Sequence, residues 1–242
     1  MTRFFVPDSI FHSDTPILEG ENARHAKVLR LREGEEVCLS NGHGEECVCR
    51  VEAVGESYTL SVIGRRPAES EAKARVSVYM AMPKADKLEH VIQKATELGA
   101  YEIVTFPSAR CISRPDDKSL SKKLERWQKI AVSAAEQSGR GRIPEVIYIG
   151  SYKEALRRAA SADKAILFYE NEQATTLKMS LTDAVFESIS LLTGPEGGLE
   201  EREVEEARAA GFDICTLGHR ILRCETAPLC ALSVVMYATG EF

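Results

Sequence analysis

The chain has 242 residues, 44% of them hydrophobic and 28% charged, with a net charge of −6. That suits one large domain or a large one with a small companion, and the longest apolar runs fall far short of a membrane span. Seven cysteines without a CxxC pair and five scattered histidines argue against a disulfide framework or a metal site, and fit a reducing, cytoplasmic setting.

Residues 1 to 67 read as β-rich. The start, Met1 to Asp8, has neither a long apolar core nor a small-residue cleavage pattern, so no signal peptide is expected. Val37-Cys38-Leu39-Ser40 and Cys47-Val48-Cys49-Arg50-Val51 flank Asn41-Gly42-His43-Gly44, a hairpin signal. Tyr58 to Ile63 is a further strand. Gly64 to Ala74 is polar, contains Pro67 and reads as a linker. The expected division is a small β domain over 1–67, a linker over 68–74 and a larger domain over 75–242.

Strands and helices then alternate. Val76 to Met80 is a strand. Lys84 to Leu98 is a helix with Leu88, Val91, Ile92, Ala95 and Leu98 on one face, closed by Gly99. Ile103 to Phe106 is a strand, Ser119 to about Gln137 a helix, Val146 to Ile149 a strand and Tyr152 to Ala160 a short helix. Ala165 to Tyr169 and Ile189 to Leu192 are strands. Glu200 to Ala210 is a helix closed by Gly211, Ile214 to Leu217 a strand and Leu229 to Ala238 a final apolar helix. This alternation predicts an α/β fold with a mostly parallel sheet.

Charge is unevenly spread. Residues 73–158 carry a net +7 and residues 159–242 a net −8. A local basic face on an acidic protein can bind a polyanion, because nearby side chains dominate within the screening length. Solvated helix faces explain the same asymmetry equally well. The run His25 to Arg32 interleaves His25, Lys27, Arg30 and Arg32 with apolar residues, as a half-buried element with a basic outer side would.

Two glycine-marked loops stand out near the end. The first is Leu192-Thr193-Gly194-Pro195-Glu196-Gly197-Gly198. The second is Leu217-Gly218-His219-Arg220-Ile221-Leu222-Arg223-Cys224-Glu225-Thr226-Ala227-Pro228. Each follows a buried-strand pattern and precedes a helix, and two such loops at neighbouring strand ends build a pocket in an open α/β sheet. Neither GxxxxGK[ST] nor GxGxxG occurs. Glu196, Glu200, Glu201 and Glu203 crowd the helix start behind the first loop. They suit the helix dipole and repel phosphate, so a ligand there should be neutral or cationic. Ile221 and Leu222 read as a ligand wall, because loops normally expose polar groups. Arg223 and Glu225 have mutual pairing as the plainer reading.

These loops closely resemble the C-terminal signature of the SPOUT-class RNA methyltransferases and, more narrowly, of the RsmE family, which methylates N3 of one uridine in small-subunit (16S) ribosomal RNA. His25-Ala26-Lys27-Val28-Leu29-Arg30, Lys94-Ala95-Thr96-Glu97-Leu98-Gly99 and Glu136-Gln137-Ser138-Gly139-Arg140 resemble that family's other motifs. Leu199 stands where the family often has an aromatic, and Cys224 where Thr, Ser or Ala is common. The resemblance implies a trefoil α/β knot, which connection rules alone disfavour. It also implies a PUA-like RNA-binding barrel at the N-terminus, S-adenosylmethionine as cofactor, a homodimer and ribosomal RNA, in the assembled subunit, as partner.

On that basis Leu192, Thr193, Gly194, Pro195, Gly197, Gly198, Leu217, Gly218, Ile221, Leu222, Thr226 and Ala227 are expected to hold the cofactor. Arg223 is the expected catalytic cation, stabilising charge that develops on the uracil. Glu225 or Glu196 is a weaker candidate for the base, and bonding to loop N–H groups is the preferred reading of Glu196. RNA contacts are expected from His25, Lys27, Arg30 and Arg32, and from Lys84, Arg110, Arg114 and Arg140. Three alternatives stay open: a non-catalytic RNA-binding module, a knotted methylase of transfer RNA or of a ribose 2′-hydroxyl, and a small-molecule α/β enzyme.

Overall fold

The computed structural model describes residues 1–112, 116–182 and 186–242. The chain divides into two compact units, Met1–Glu71 with Ala135–Ile143, and Ala72–Ala134 with Pro144–Phe242. Chain order alone places 135–143 in the larger domain. In the structure this segment belongs to the first unit, because the Arg140 guanidinium pairs with Glu71 at 2.6 Å and the amides of Gly141 and Arg142 donate to the same carboxylate.

The first unit contains β1 (Thr2–Phe5), α1 (Asp8–Phe11), β2 (Ile17–Leu18), α2 (Gly20–Val28), β3 (Glu36–Ser40), β4 (Glu45–Val54) and β5 (Tyr58–Pro67). The strands form one sheet in the order β1-β3-β4-β5-β2. Only β1 and β3 run parallel; the other pairs are antiparallel. Alternate residues of β3, β4 and β5 point inward, and Phe4, Phe11, Leu18, Leu39, Val51, Tyr58 and Leu60 close over them as one core. The hairpin at Asn41–Gly44 forms, with Gly42 and Gly44 at φ 77° and 95°. Gly64 to Pro67 continue β5, so they are strand and not linker. Two short elements, β1 and β2, and the weakly amphipathic α2 carry too little periodicity to stand out in the sequence.

The second unit contains β6 (Arg75–Ala81), α3 (Lys87–Glu97), β7 (Glu102–Phe106), β8 (Glu145–Tyr148), α5 (Tyr152–Ala159), β9 (Lys164–Phe168), α6 (Leu177–Ser180), β10 (Ser188–Thr193), α7 (Glu201–Ala209), β11 (Asp213–Cys215) and α8 (Thr226–Ala238); α4 (Asp117–Ser138) begins here and ends in the first unit. Its six strands are all parallel, in the order β11-β9-β10-β6-β7-β8. The central strands read as unbroken apolar runs because both their faces are covered, and Val78, Met80, Ile103, Ile166, Leu191 and Leu192 have no exposed surface. Helix α8 packs on α3, β10 and β6. Among the described residues no helix is long and apolar enough to cross a membrane.

Two boundaries moved for local reasons. Helix α3 starts at Lys87 and not Lys84, because Ala85 sits at φ 54°, outside the helical region. Helix α8 starts at Thr226, three residues before the apolar run, with Pro228 in its first turn, where a missing N–H costs nothing.

Candidate active site

Both signature loops leave the C-terminal ends of parallel strands, the first from β10 and the second from β11. These strands are not neighbours, as the sequence suggested: β9 stands between them. The continuation of β9 still reaches the first loop. A Cβ on Gly198, which sits at φ 67°, would collide with the Glu170 carboxylate.

The first loop folds tightly on itself. The Gly198 amide donates to the Pro195 carbonyl at 2.9 Å. A Cβ on Gly194 would lie 3.1 Å from the Gly198 carbonyl carbon and from Leu199 Cγ, so a side chain there would press on its neighbours. Arg110 donates Nη1–H to the Gly197 carbonyl at 2.8 Å. Behind the loop, α7 opens with a capping box between Glu200 and Glu203. The buried Glu203 also accepts the Ala109 amide at 2.8 Å.

The second loop is fixed differently. Thr216 Oγ1 accepts the Gly218 amide at 3.1 Å. Beyond it the chain is open to solvent: Ile221 is 89% exposed and the Arg223 side chain 85%. Leu222 is half-buried. Ile221 thus stands away from the core of the second unit.

Between the loops lies a charged cluster that the sequence did not reveal. Lys87, the first residue of α3, places Nζ 3.0 Å from Glu196 Oε1 and 3.5 Å from Glu225 Oε2. Glu196 also accepts the Lys84 amide at 3.0 Å. The Cys224 thiol donates to Glu225 at 3.2 Å. Arg223 reaches Glu225 only at 4.0 Å. Partial burial pushes Glu196 up, but its bonds to the Lys84 amide and to Lys87 outweigh this and hold it below the usual carboxylate range. Glu225 is lowered first by its own backbone N–H, with the Cys224 thiol and Lys87 adding to that. Burial, the bond to Glu225 and the nearby carboxylates push the Cys224 thiol up to about 12, so it stays neutral at physiological pH. The only trace of Lys87 in the sequence is a cation at a helix N-terminus, where the dipole disfavours it.

The expected RNA contacts fall into separate groups. His25 and Lys27 lie near the end of α2. Arg30, at φ 57°, and Arg32 follow it, and Lys27, Arg30 and Arg32 are all exposed. Lys84 and Arg110 belong to the second unit, and both hold the first loop. Arg114 lies outside the described residues. Arg140 is 3% exposed and ion-paired with Glu71, so it serves the first unit's packing. A cleft of about 580 Å³ lined by Lys153, Arg157, Glu206 and Ala209 contains no residue of either loop, so concavity alone does not mark this site.

Residues 70–236 match the family model for an RNA methyltransferase domain, and residues 18–63 that for an RNA methyltransferase PUA domain. The chain is 39% identical to the ribosomal RNA small subunit methyltransferase E of Bacillus subtilis, covering 99% of this chain and 97% of that one. It also matches the crystal structure of the Neisseria gonorrhoeae methyltransferase of that name bound to S-adenosyl methionine, at 34% identity and a TM-score of 0.85 over 98% and 97% of the two chains. A putative methyltransferase of Legionella pneumophila with bound S-adenosyl methionine is 28% identical, with a TM-score of 0.83 over 98% of each chain. Fold and loops thus define a SPOUT-class α/β RNA methyltransferase with a PUA-like N-terminal domain. More narrowly, the chain belongs to the ribosomal RNA small subunit methyltransferase E family.

Proposed function

We propose that this chain methylates N3 of a uridine in small-subunit ribosomal RNA, using S-adenosylmethionine as methyl donor. The observation that carries this reading is the pair of loops at the ends of β10 and β11, one folded tightly on itself and one open, with carboxylates and no phosphate-binding motif. Their residues fit the cofactor. Gly194 lets the first loop fold closely on Gly198 and Leu199, which holds its backbone groups in place for a ligand. The acidic start of α7 disfavours phosphate and tolerates a sulfonium. Backbone groups of Leu192, Thr193, Gly194, Leu217, Gly218 and Ile221, with the Leu222 side chain, would hold it. When bound, it supplies an electrophilic methyl group.

The remaining work falls to the chain. N3 lies on the Watson–Crick edge, so the uridine must be unpaired or flipped out. Arg223 has the exposure to meet that base and to stabilise negative charge on O2 and O4. Glu196 and Glu225 are poorly suited as bases, because both are held below their ordinary range by existing partners. The N3 proton then leaves to solvent, made more acidic by the adjacent guanidinium. Mass-spectrometric mapping of digested ribosomal RNA after reaction tests the assignment; a methyl on a ribose or on transfer RNA would overturn it.

A homodimer belongs to the same reading. Helix α8 is apolar on all sides, a pattern of buried helices, yet Tyr237 is 73% and Val234 41% exposed. A second copy covering that face removes the mismatch. Sedimentation of the wild type and of Tyr237→Lys tests it; a wild-type monomer would contradict it. The same reading takes the assembled subunit, and not bare ribosomal RNA, as the substrate. Equal turnover on naked RNA and on assembled subunits would reject that. All seven cysteines are unpaired, which fits a cytoplasmic site of action.

A further inference from the structure

We propose that Lys87 is a positioning residue that clamps the two cofactor loops together through Glu196 on the first and Glu225 on the second. The inference rests on the reading of those loops as an S-adenosylmethionine site. Lys87 itself lies on α3, outside both.

Three observations point the same way. A lysine in the first turn of a helix faces the positive end of the dipole, so its placement is unfavourable for α3 and must be offset by something else. The turn before it holds Ala85 at φ 54°, a conformation that non-glycine residues rarely adopt, and the Lys84 amide at the head of that turn bonds Glu196. An ammonium has three donors, and Lys87 Nζ has three acceptors within reach: Glu196 Oε1 at 3.0 Å, Glu225 Oε2 at 3.5 Å and Cys224 Sγ at 3.7 Å. The strained turn, the cation and both loops thus converge on one point.

The consequence follows from charge. Without the ammonium, two carboxylates on separate loops share a small space with nothing between them, and they repel. The first loop is anchored by its own backbone, Arg110 and the α7 cap, so the open stretch of the second loop between Gly218 and α8 yields first. The ion pairs are partly exposed, with side-chain exposures of 33% for Lys87, 27% for Glu196 and 19% for Glu225. They therefore add little to folding. Their effect lies in holding the loops ready, and pre-organisation of that kind appears as ligand affinity.

The test uses the full chain and measures S-adenosylmethionine binding by calorimetry for wild type, Lys87→Met and Lys87→Arg. Lys87→Met should weaken binding about tenfold, and Lys87→Arg should restore it to within about threefold, because the charge and its reach return. In steady-state assays the loss should fall in KM for the cofactor and not in kcat. In the ligand-free protein, amide exchange over residues 216–225 should quicken in Lys87→Met. Adding Glu196→Gln and Glu225→Gln to Lys87→Met should recover part of the affinity, since repulsion is removed. Binding by Lys87→Met at or above wild-type strength overturns the clamp, as does failure of Lys87→Arg to restore affinity. If wild type binds no S-adenosylmethionine, the site reading itself fails and the clamp fails with it.

Discussion

The two loops that make the candidate site are built by opposite means. The first is set by folding. Its glycines are closely packed, the Gly198 amide bonds within the turn, and Arg110, Glu203 and the α7 cap hold it from behind. The second is anchored near Gly218 and at the start of α8, and between them it presents Ile221 and Arg223 to solvent. A prebuilt half and an open half suit a site that must hold a cofactor tightly yet admit a macromolecular substrate, since segments that close over ligands come from the less stable parts of a fold.

Four experiments would break or sharpen that contrast. The largest effect is expected from Arg223→Ala in the open loop. Turnover should fall by about a hundredfold to a thousandfold, as when a transition-state donor is removed. Cofactor affinity should stay near wild type, and single-turnover rates beside equilibrium binding separate the two. Near-normal turnover would remove Arg223 from the chemistry. Next comes Glu203→Ala, behind the prebuilt loop. It deletes the capping box and the acceptor of the Ala109 amide, at a cost of about 1–2 kcal/mol. Urea unfolding measures this; a loss under about 0.5 kcal/mol would mean that the first loop does not depend on the cap.

A smaller effect is expected from pH. Glu196 and Glu225 are held below the usual glutamate value of 4.5 in the folded protein. A lowered carboxylate contributes fully above its unfolded pKa and loses that contribution as pH falls through the folded one. Amide exchange in the second loop, corrected for intrinsic rates, should be flat from about pH 6 to 8 and should quicken only below about 4.5. Quickening near neutrality would point to another titrating group. The smallest effect is expected from Ile221→Ser. At 89% exposure it should shift stability by less than about 0.5 kcal/mol while weakening cofactor binding. A large stability loss would mean that the open loop is packed after all.

Much of the fold was legible because its signals are local. The strand–helix alternation after residue 75 and the glycines at 99 and 211 depend on spacing and on backbone freedom, both written in the chain. The two loops were legible for the same reason, as glycine clusters between an apolar run and a helix. Elements of two to four residues, such as β1, β2 and α6, escaped because so few side chains show no period. Segment 135–143 escaped because its place depends on a buried pair, Arg140 with Glu71, whose members lie far apart in the sequence. The same arginine looked like an RNA contact when only its charge was visible.

By itself the sequence determined the α/β class, the two glycine loops, the acidic helix start that turns away phosphate, and the motifs that carry the family resemblance. Tertiary structure alone decided that β9 stands between the two loop-bearing strands, that Glu196 and Glu225 share Lys87, that Arg223 is exposed and that Arg140 is not. The division has one physical cause. Periodicity, capping and glycine conformations act between near neighbours along the chain. Burial and ion pairing depend on distance in space, and Lys87 and Glu225 become neighbours only after α3 and the second loop have folded against the same sheet.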